Sequence, residues 1–507
     1  MLIKNSGEKF LIFIILPIAS GILTSLSFEK FSLFFFSWFS VSLLFISIFR
    51  KKRLSFFSGF LYGFSYYLIS LYWIPSVMFK YGNLSKVLSS IFFLALILLL
   101  SLFWAIFSAA ISIFIKISTN FMILSPFLWI SIEYIMSFIF TGFPWNLIGY
   151  SQVDFIPLIQ ISSVTGVYGI SFLIILFNAS ITLLLITKKK WYVLITILLI
   201  FFTILYGIAT TSFNYRTNGL FKVSVIQGNI NQDIIWDSKN LIEKFNEHME
   251  LSEASSKNHA KLIVWPEFSV PIYIRYNSFF KKIMIDFAKN RNVSFLAGFT
   301  DIRYENNSNN FYNSSFLISK DGVESVYDKI HLVPFGEYVP LRKFLGFFES
   351  ITKEIGDFTP GKNSILHKVN GNKFGTPVCY EIIFPDLVRR FVKKGAVFIV
   401  TITNDAWFGK TSAPYQHFAM ARMRAVENRR FLIRAASTGI SGIVDPFGKI
   451  VKLIDLEKKG YAVSEIYPIS YLSFYTRYGD VFAHFCILIS LFAFIFFIIL
   501  RKQVKFR

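Results

Sequence analysis

Three ionisable side chains of this 507-residue chain stand where apolar runs end. Glu267 follows LIVWP, Lys329 lies in YDKIHLVPFGEYVP, a loop with two prolines and a glycine, and Cys379 closes the run in PVCYE. Alone, each is a weak signal. Together they supply a complete acyl-transfer chemistry: a thiol to act as nucleophile, a carboxylate to take its proton, and an ammonium to stabilise both thiolate and oxyanion. That set needs neither histidine nor metal. The six histidines show no ligand spacing in this region, and there is no HExxH, CxxC, phosphate-loop or GxSxG pattern. Of the two cysteines, Cys486 lies inside an apolar run and cannot plausibly pair with Cys379. The Cys379 thiol reads either as a small buried hydrophobe or as a reactive group, and its surroundings must decide.

The elements that must position these residues alternate β-rich runs with helical ones. Strands are expected at 223–227, 262–267, 293–299, 311–319, 374–382 and 396–405, with helices near 238–257, 276–290 and 415–430 and a closing hairpin at 441–451. This predicts an α/β layered domain over 220–467, with its reactive side chains at strand ends, where α/β proteins usually build sites.

Outside that domain the chain is of a different kind. With 54% hydrophobic and 16% charged residues, it holds more apolar side chain than soluble cores normally use. Runs long enough for about 30 Å of hydrocarbon lie near 10–27, 31–49, 55–79, 87–115, 119–140, 163–187 and 191–211, and an eighth at 481–500. Lys4 and Lys9 before the first run imitate a signal peptide, but a small-residue cleavage site is missing and another span follows at once, so the run is expected to be retained. The reading is thus a seven-helix transmembrane domain over 1–211, an inserted α/β domain, and one C-terminal transmembrane helix.

The net charge of +22 invites a nucleic-acid reading until the basic residues are placed. Lys4, Lys9, Arg50 to Arg53, Lys116, Lys188 to Lys190, Arg501, Lys502, Lys505 and Arg507 all fall on one side of the alternating spans, against Lys30, Lys80 and Lys86 in the short loops of the other. By the positive-inside rule both termini are cytoplasmic and the inserted domain lies outside. The charge is then mostly topology, and no nucleic-acid partner is expected.

In their order, WPE, DKIHLVPFGEYVP, CYE and NDAWFG resemble the nitrilase, or carbon-nitrogen hydrolase, superfamily. The spans, GDFTPG at 356–361, NDAWFGKTSAPYQH at 404–417 and TGFPWNLIGYSQ at 141–152 are similar to its membrane branch, the apolipoprotein N-acyltransferases. The resemblance implies an αββα sandwich as the inserted domain, in a bacterial inner membrane with that domain periplasmic. It implies Glu267 as general base, Lys329 as stabiliser of oxyanion and thiolate, and Cys379 as nucleophile. Supporting or substrate-binding residues would be Glu337, Tyr380, Glu381, Trp236 and Trp407. Glu337 and Glu381 read equally as bracing partners or as direct participants, and the two tryptophans as site residues or as packing and interfacial anchors.

The implied reaction passes an sn-1 acyl chain from a phospholipid, typically phosphatidylethanolamine, through a cysteine thioester to the α-amine of a diacylglyceryl-cysteine on an apolipoprotein, with no cofactor or metal. Competing expectations are a membrane-tethered amidase that delivers the acyl group to water, and a polytopic transporter or scaffold with an inactive insert. Two positions depart from the family pattern. Met136 stands where an Arg usually follows Glu133, and Ser437 where Asn is commoner.

Overall fold

The computed structural model describes residues 11–82, 84–212, 219–230, 240–305, 307–338 and 358–505, and the chain divides into two compact units. Trp236 lies outside the described residues.

The first unit comprises the chain up to Pro75, from Lys86 to residue 212, and from Tyr478 onward. Among the described residues, five of its helices, of 18 to 32 residues, are long and apolar enough to cross a membrane: Lys86–Ile117, Thr119–Met136, Tyr168–Thr187, Trp191–Ser212 and Val481–Ile499. Shorter apolar helices cover Ile12–Leu26, Phe34–Arg50 and Ile156–Thr165. The apolar run at 55–79 divides into helices Ser55–Ser70 and Ile74–Tyr81. Helices here approach on small residues: a Cβ at Gly59 would stand 2.2 Å from the Trp104 carbonyl oxygen. Polar side chains join helices across such contacts; Asn178 accepts from the Ser42 N–H at 2.8 Å and donates to the Ser37 carbonyl at 2.9 Å. Glu133 is buried and accepts from Trp129 Nε1 at 3.0 Å and the Ile148 N–H at 2.9 Å. The segment that resembles the family at 141–152 therefore caps this carboxyl, and Met136 packs where no guanidinium is available, with the Tyr67 hydroxyl 3.9 Å from its sulfur.

The second unit is built on two six-stranded sheets. The first uses β1 (Phe221–Gln227), β2 (Leu262–Val264), β3 (Ser294–Glu305), β4 (Ser308–Ser319), β5 (Gly322–Asp328) and β12 (Gly460–Ile466), in the order β12-β1-β2-β3-β4-β5. The second uses β6 (Leu366–Val369), β7 (Asn372–Gly375), β8 (Phe398–Thr403), β9 (Leu432–Ala436), β10 (Ser441–Val444) and β11 (Ile450–Ile454), in the order β11-β10-β9-β8-β7-β6. Strands β1, β2 and β3 pair in parallel, as do β7, β8 and β9, with antiparallel pairs at the edges. The fully buried LIV and FIVTIT strands are the continuous apolar runs that parallel strands covered on both faces require.

Helices Leu241–Ser256 and Ser278–Arg291 cover the first sheet through Phe245, Phe280 and Met284, packed with Trp265 and Phe295. Helices Pro385–Lys393 and Ala413–Asn428 cover the second, and the two sheets meet through pairs such as Phe221 and Phe398, whose rings are 5.5 Å apart. The layers run helix, sheet, sheet, helix. The run expected as one strand at 374–382 instead ends β7 at Gly375 and turns into a 3₁₀ segment, Cys379–Ile383. Pro377 lacks the N–H a continuing strand would need, so Cys379 starts a turn.

Candidate active site

Glu267, Lys329 and Cys379 come together at chain exits from the two sheets, and the local backbone shows why each needs its setting. After β2, Trp265 and Pro266 lead to Glu267, and Phe268 turns with φ 48°. Glycine at 298 is required beside this exit, because a Cβ there would stand 2.6 Å from the Glu267 Cα and 2.8 Å from the Pro266 oxygen. Lys329 directly follows β5; its N–H donates to the Asn313 carbonyl at 2.8 Å, and its carbonyl accepts from Gly361 at 2.8 Å. Cys379 has φ 51°, a left-handed conformation that costs a non-glycine residue about 1–3 kcal/mol and persists only where surroundings enforce it.

All three side chains are buried. Lys329 Nζ donates to Glu337 Oε1 at 2.9 Å and faces Glu267 Oε1 at 3.5 Å. Asn313 Nδ2 donates to both carboxylates at 2.7 Å. The backbone N–H groups of Asn404 and Val333 complete the set, at 2.7 Å to Glu267 Oε2 and 2.8 Å to Glu337 Oε2. The Cys379 thiol feels the charges of Glu267 and Lys329 and the hydroxyl of Thr403.

The electrostatics follow from one ammonium serving two carboxylates in a dry pocket. Burial pushes the Glu267 carboxyl above the ordinary carboxylate range; Lys329 opposes this and Glu337 adds to it. Burial works against the Lys329 charge, yet Glu337 and Glu267 outweigh it and hold the ammonium firmly protonated. Burial and the Glu267 charge push the Cys379 thiol up, against Lys329. The resting Cys379 side chain is therefore a thiol, beside a carboxyl whose basicity burial raises.

Glu381 has another setting. It is fully buried and accepts from the Tyr327 hydroxyl at 2.8 Å, from the N–H groups of Ile330 and His331 at 2.7 and 3.0 Å, and from that of Val378 at 2.7 Å. It thus ties the lysine loop to the cysteine turn. Burial pushes it up to about 7 in spite of these donors. Tyr380 is partly buried and its ring packs on Phe384 and His331, at 5.1 and 5.8 Å. Trp407 is partly buried and meets Tyr81 edge-on at 5.0 Å. Ser437 is buried; its N–H donates to the Thr403 carbonyl at 3.1 Å and its carbonyl accepts from Asn229 at 3.0 Å.

Sequence reasoning passed over Asn313, which joins the two carboxylates. Its signal was present: Asn313, Ser314 and Ser315 interrupt β4 with three buried polar residues in succession. The Asn404 N–H carried no such signal, since a backbone donor has no residue type.

A carbon-nitrogen hydrolase family model matches residues 222–470, the extent of the two-sheet unit and its buried Glu-Lys-Cys cluster. The fold and site define a nitrilase-type domain carried by a bacterial membrane protein. A second model, for the apolipoprotein N-acyltransferase N-terminal domain, matches residues 20–180. Curated relatives of that name include one from Geobacter metallireducens, 37% identical with 93% of each chain covered. Another, from Rickettsia prowazekii, is 34% identical with 80% of this chain and 81% of its own covered. Among solved structures, Saccharomyces cerevisiae Nit3, a member of branch 10 of the nitrilase superfamily, aligns at 23% identity and TM-score 0.37 over 48% of this chain and 89% of its own. The chain belongs to the apolipoprotein N-acyltransferase family.

Proposed function

We infer that this enzyme N-acylates the N-terminal diacylglyceryl-cysteine of apolipoproteins through a thioester on Cys379, with a membrane phospholipid as acyl donor. The observation that supports the mechanism is the buried cluster in which the Glu267 carboxylate faces the Lys329 ammonium and both act on the Cys379 thiol. In the first half-reaction Cys379 Sγ attacks the sn-1 ester carbon of the donor, for which phosphatidylethanolamine is the proposed species, and its proton passes to Glu267. Lys329 faces the developing oxyanion. The Tyr380 N–H, in the first turn of the 3₁₀ segment where the helix itself supplies no acceptor, is the second donor. Collapse expels the lysophospholipid alkoxide, which takes the proton from Glu267.

In the second half-reaction the α-amine attacks the thioester and gives its proton to Glu267. The tetrahedral adduct expels the Cys379 thiolate, and that thiolate recovers the proton. The order is ping-pong. Glu337 and Asn313 hold Lys329 and Glu267 in register, Glu381 braces the turn, and Tyr380 and Trp407 are proposed to line the path of the lipid substrates.

Both substrates are lipid-anchored, which gives the apolar helices their purpose. The proposed arrangement is seven spans over 1–211, the catalytic domain over 220–467 and a last span over 481–500, in the inner membrane with a periplasmic catalytic domain and cytoplasmic termini. The asymmetry of basic residues between alternate loops supports it.

Intact-mass analysis of the purified protein incubated with phosphatidylethanolamine tests the reading. The expected result is one acyl chain, mapped to Cys379, absent in Cys379→Ser and unchanged in Cys486→Ser. An acyl chain elsewhere would overturn the assignment of the nucleophile, and free fatty acid as the sole product would favour transfer to water.

A further inference from the structure

A second buried ionic cluster of the same unit takes no part in these proton transfers. Asp405, His417 and Arg434 are all buried, on the exit of β8, on the helix Ala413–Asn428 and on β9. Arg434 Nη2 donates to Asp405 Oδ2 at 2.6 Å and stands 3.1 Å from His417 Nδ1. Thr403 Oγ1 donates to Asp405 Oδ1 at 2.9 Å, and Arg434 Nε to the Ile440 carbonyl at 3.1 Å. Burial alone would raise the Asp405 carboxyl, but Arg434 and His417 hold it well below the usual range. It is a fixed anion on a fixed cation.

The other edge of the imidazole reaches the nucleophile's backbone: His417 Nε2 stands 3.2 Å from the Cys379 carbonyl oxygen. A carbonyl only accepts, so a proton resides on Nε2. Nδ1 accepts from Arg434 in the neutral ring, and in the charged ring it donates to Asp405 Oδ1, 3.0 Å away. The Nε2–H contact persists in both forms. Burial and Arg434 pull the imidazole below its ordinary value, which favours the neutral one.

The consequence lies in one peptide unit. The Cys379 carbonyl and the Tyr380 N–H belong to the same planar trans group and point in opposite directions. Holding the carbonyl against His417 therefore aims the N–H away from the imidazole, and the strained φ of 51° at Cys379 makes an external restraint necessary. We propose that His417, anchored by Asp405 and Arg434, is a positioning residue that sets the Cys379–Tyr380 peptide so that its N–H meets the oxyanion of each tetrahedral intermediate. This rests on the thioester reading above.

Two substitutions separate the contacts. His417→Gln places an amide nitrogen near the position of Nε2, whereas His417→Asn places one near Nδ1 and cannot reach the Cys379 carbonyl. Each is measured in two reactions of the same thiol in the full-length protein. These are acylation by phosphatidylethanolamine in mixed micelles, which passes through an oxyanion, and alkylation by iodoacetamide, which does not. His417→Asn should lose about tenfold to a hundredfold in acylation rate while alkylation stays within about twofold, and His417→Gln should recover acylation to within about fivefold of wild type.

Equal acylation losses in the two variants, parallel losses of acylation and alkylation in His417→Asn, or wild-type acylation in His417→Asn would each overturn the proposal. Should the histidine variants fail to accumulate, Asp405→Asn carries the same comparison, with an expected acylation loss of about threefold to tenfold and unchanged alkylation. Absence of acyl-enzyme in the wild type would instead overturn the thioester reading, and this inference with it.

Discussion

Two buried carboxylates flank the cysteine turn in opposite circumstances. Glu267 shares one oxygen between Asn313 and Lys329, gives the other to the Asn404 N–H, and lies against the thiol. Glu381 spends both oxygens on the Tyr327 hydroxyl and three backbone N–H groups. Both are pushed up by burial, so burial does not separate them. What separates them is which proton each can receive. The partners of Glu381 are fixed donors that hold two loops together, whereas Glu267 neighbours the thiol whose proton the proposed reaction moves. A perturbed carboxyl marks a chemical role only where a transferable proton faces it.

The largest effect should come from breaking the reactive half of this comparison. Glu267→Gln keeps the shape and removes the proton acceptor, so Cys379 should remain a thiol and no acyl-enzyme should accumulate when intact mass is followed over time. The pH profile sharpens the point. Glu267 acts as base only when ionised, so acylation in the wild type should rise with pH through a midpoint above the ordinary value of about 4.3, since burial raises its pKa. Normal acyl-enzyme formation with only transfer impaired would move the first-step base to another carboxylate.

Lys329→Met comes next. It removes the charge that opposes the rise of the thiol pKa and that the proposed mechanism sets against the oxyanion, and loss of such a donor costs about 10²–10³ in rate. Acylation and transfer should slow together, because both pass through an oxyanion; loss in one half-reaction alone would contradict the shared role.

Glu381→Gln tests the brace and should have the smallest effect on chemistry. An amide replaces one acceptor oxygen with a donor facing buried N–H groups, and each orphaned donor costs about 1–3 kcal/mol. The variant should melt several degrees lower, as read by thermal denaturation, while the protein that remains folded keeps most of its acylation rate. A loss of rate as deep as that of Glu267→Gln, with unchanged melting, would place Glu381 in the chemistry and dissolve the distinction.

The residue types at strand ends and the apolar run lengths are written in one dimension. A buried parallel strand needs a continuous apolar run, and a membrane span needs about twenty such residues. The layering of the inserted domain and the Glu-Lys-Cys set were legible for that reason. Strands β5, β6, β9 and β12 were not, because their identity lies in the neighbour each pairs with. From residue types alone, which partner each of Glu267, Glu337 and Glu381 would face was equally hidden. All three are acids beside apolar residues, and only tertiary structure decides which one meets the thiol, which one the ammonium and which one four fixed donors. Asn313, the backbone N–H of Asn404 and the carbonyl of Cys379 enter the site from separate strands and turns. Their contribution is a direction and a distance, and sequence specifies neither until the two sheets are packed.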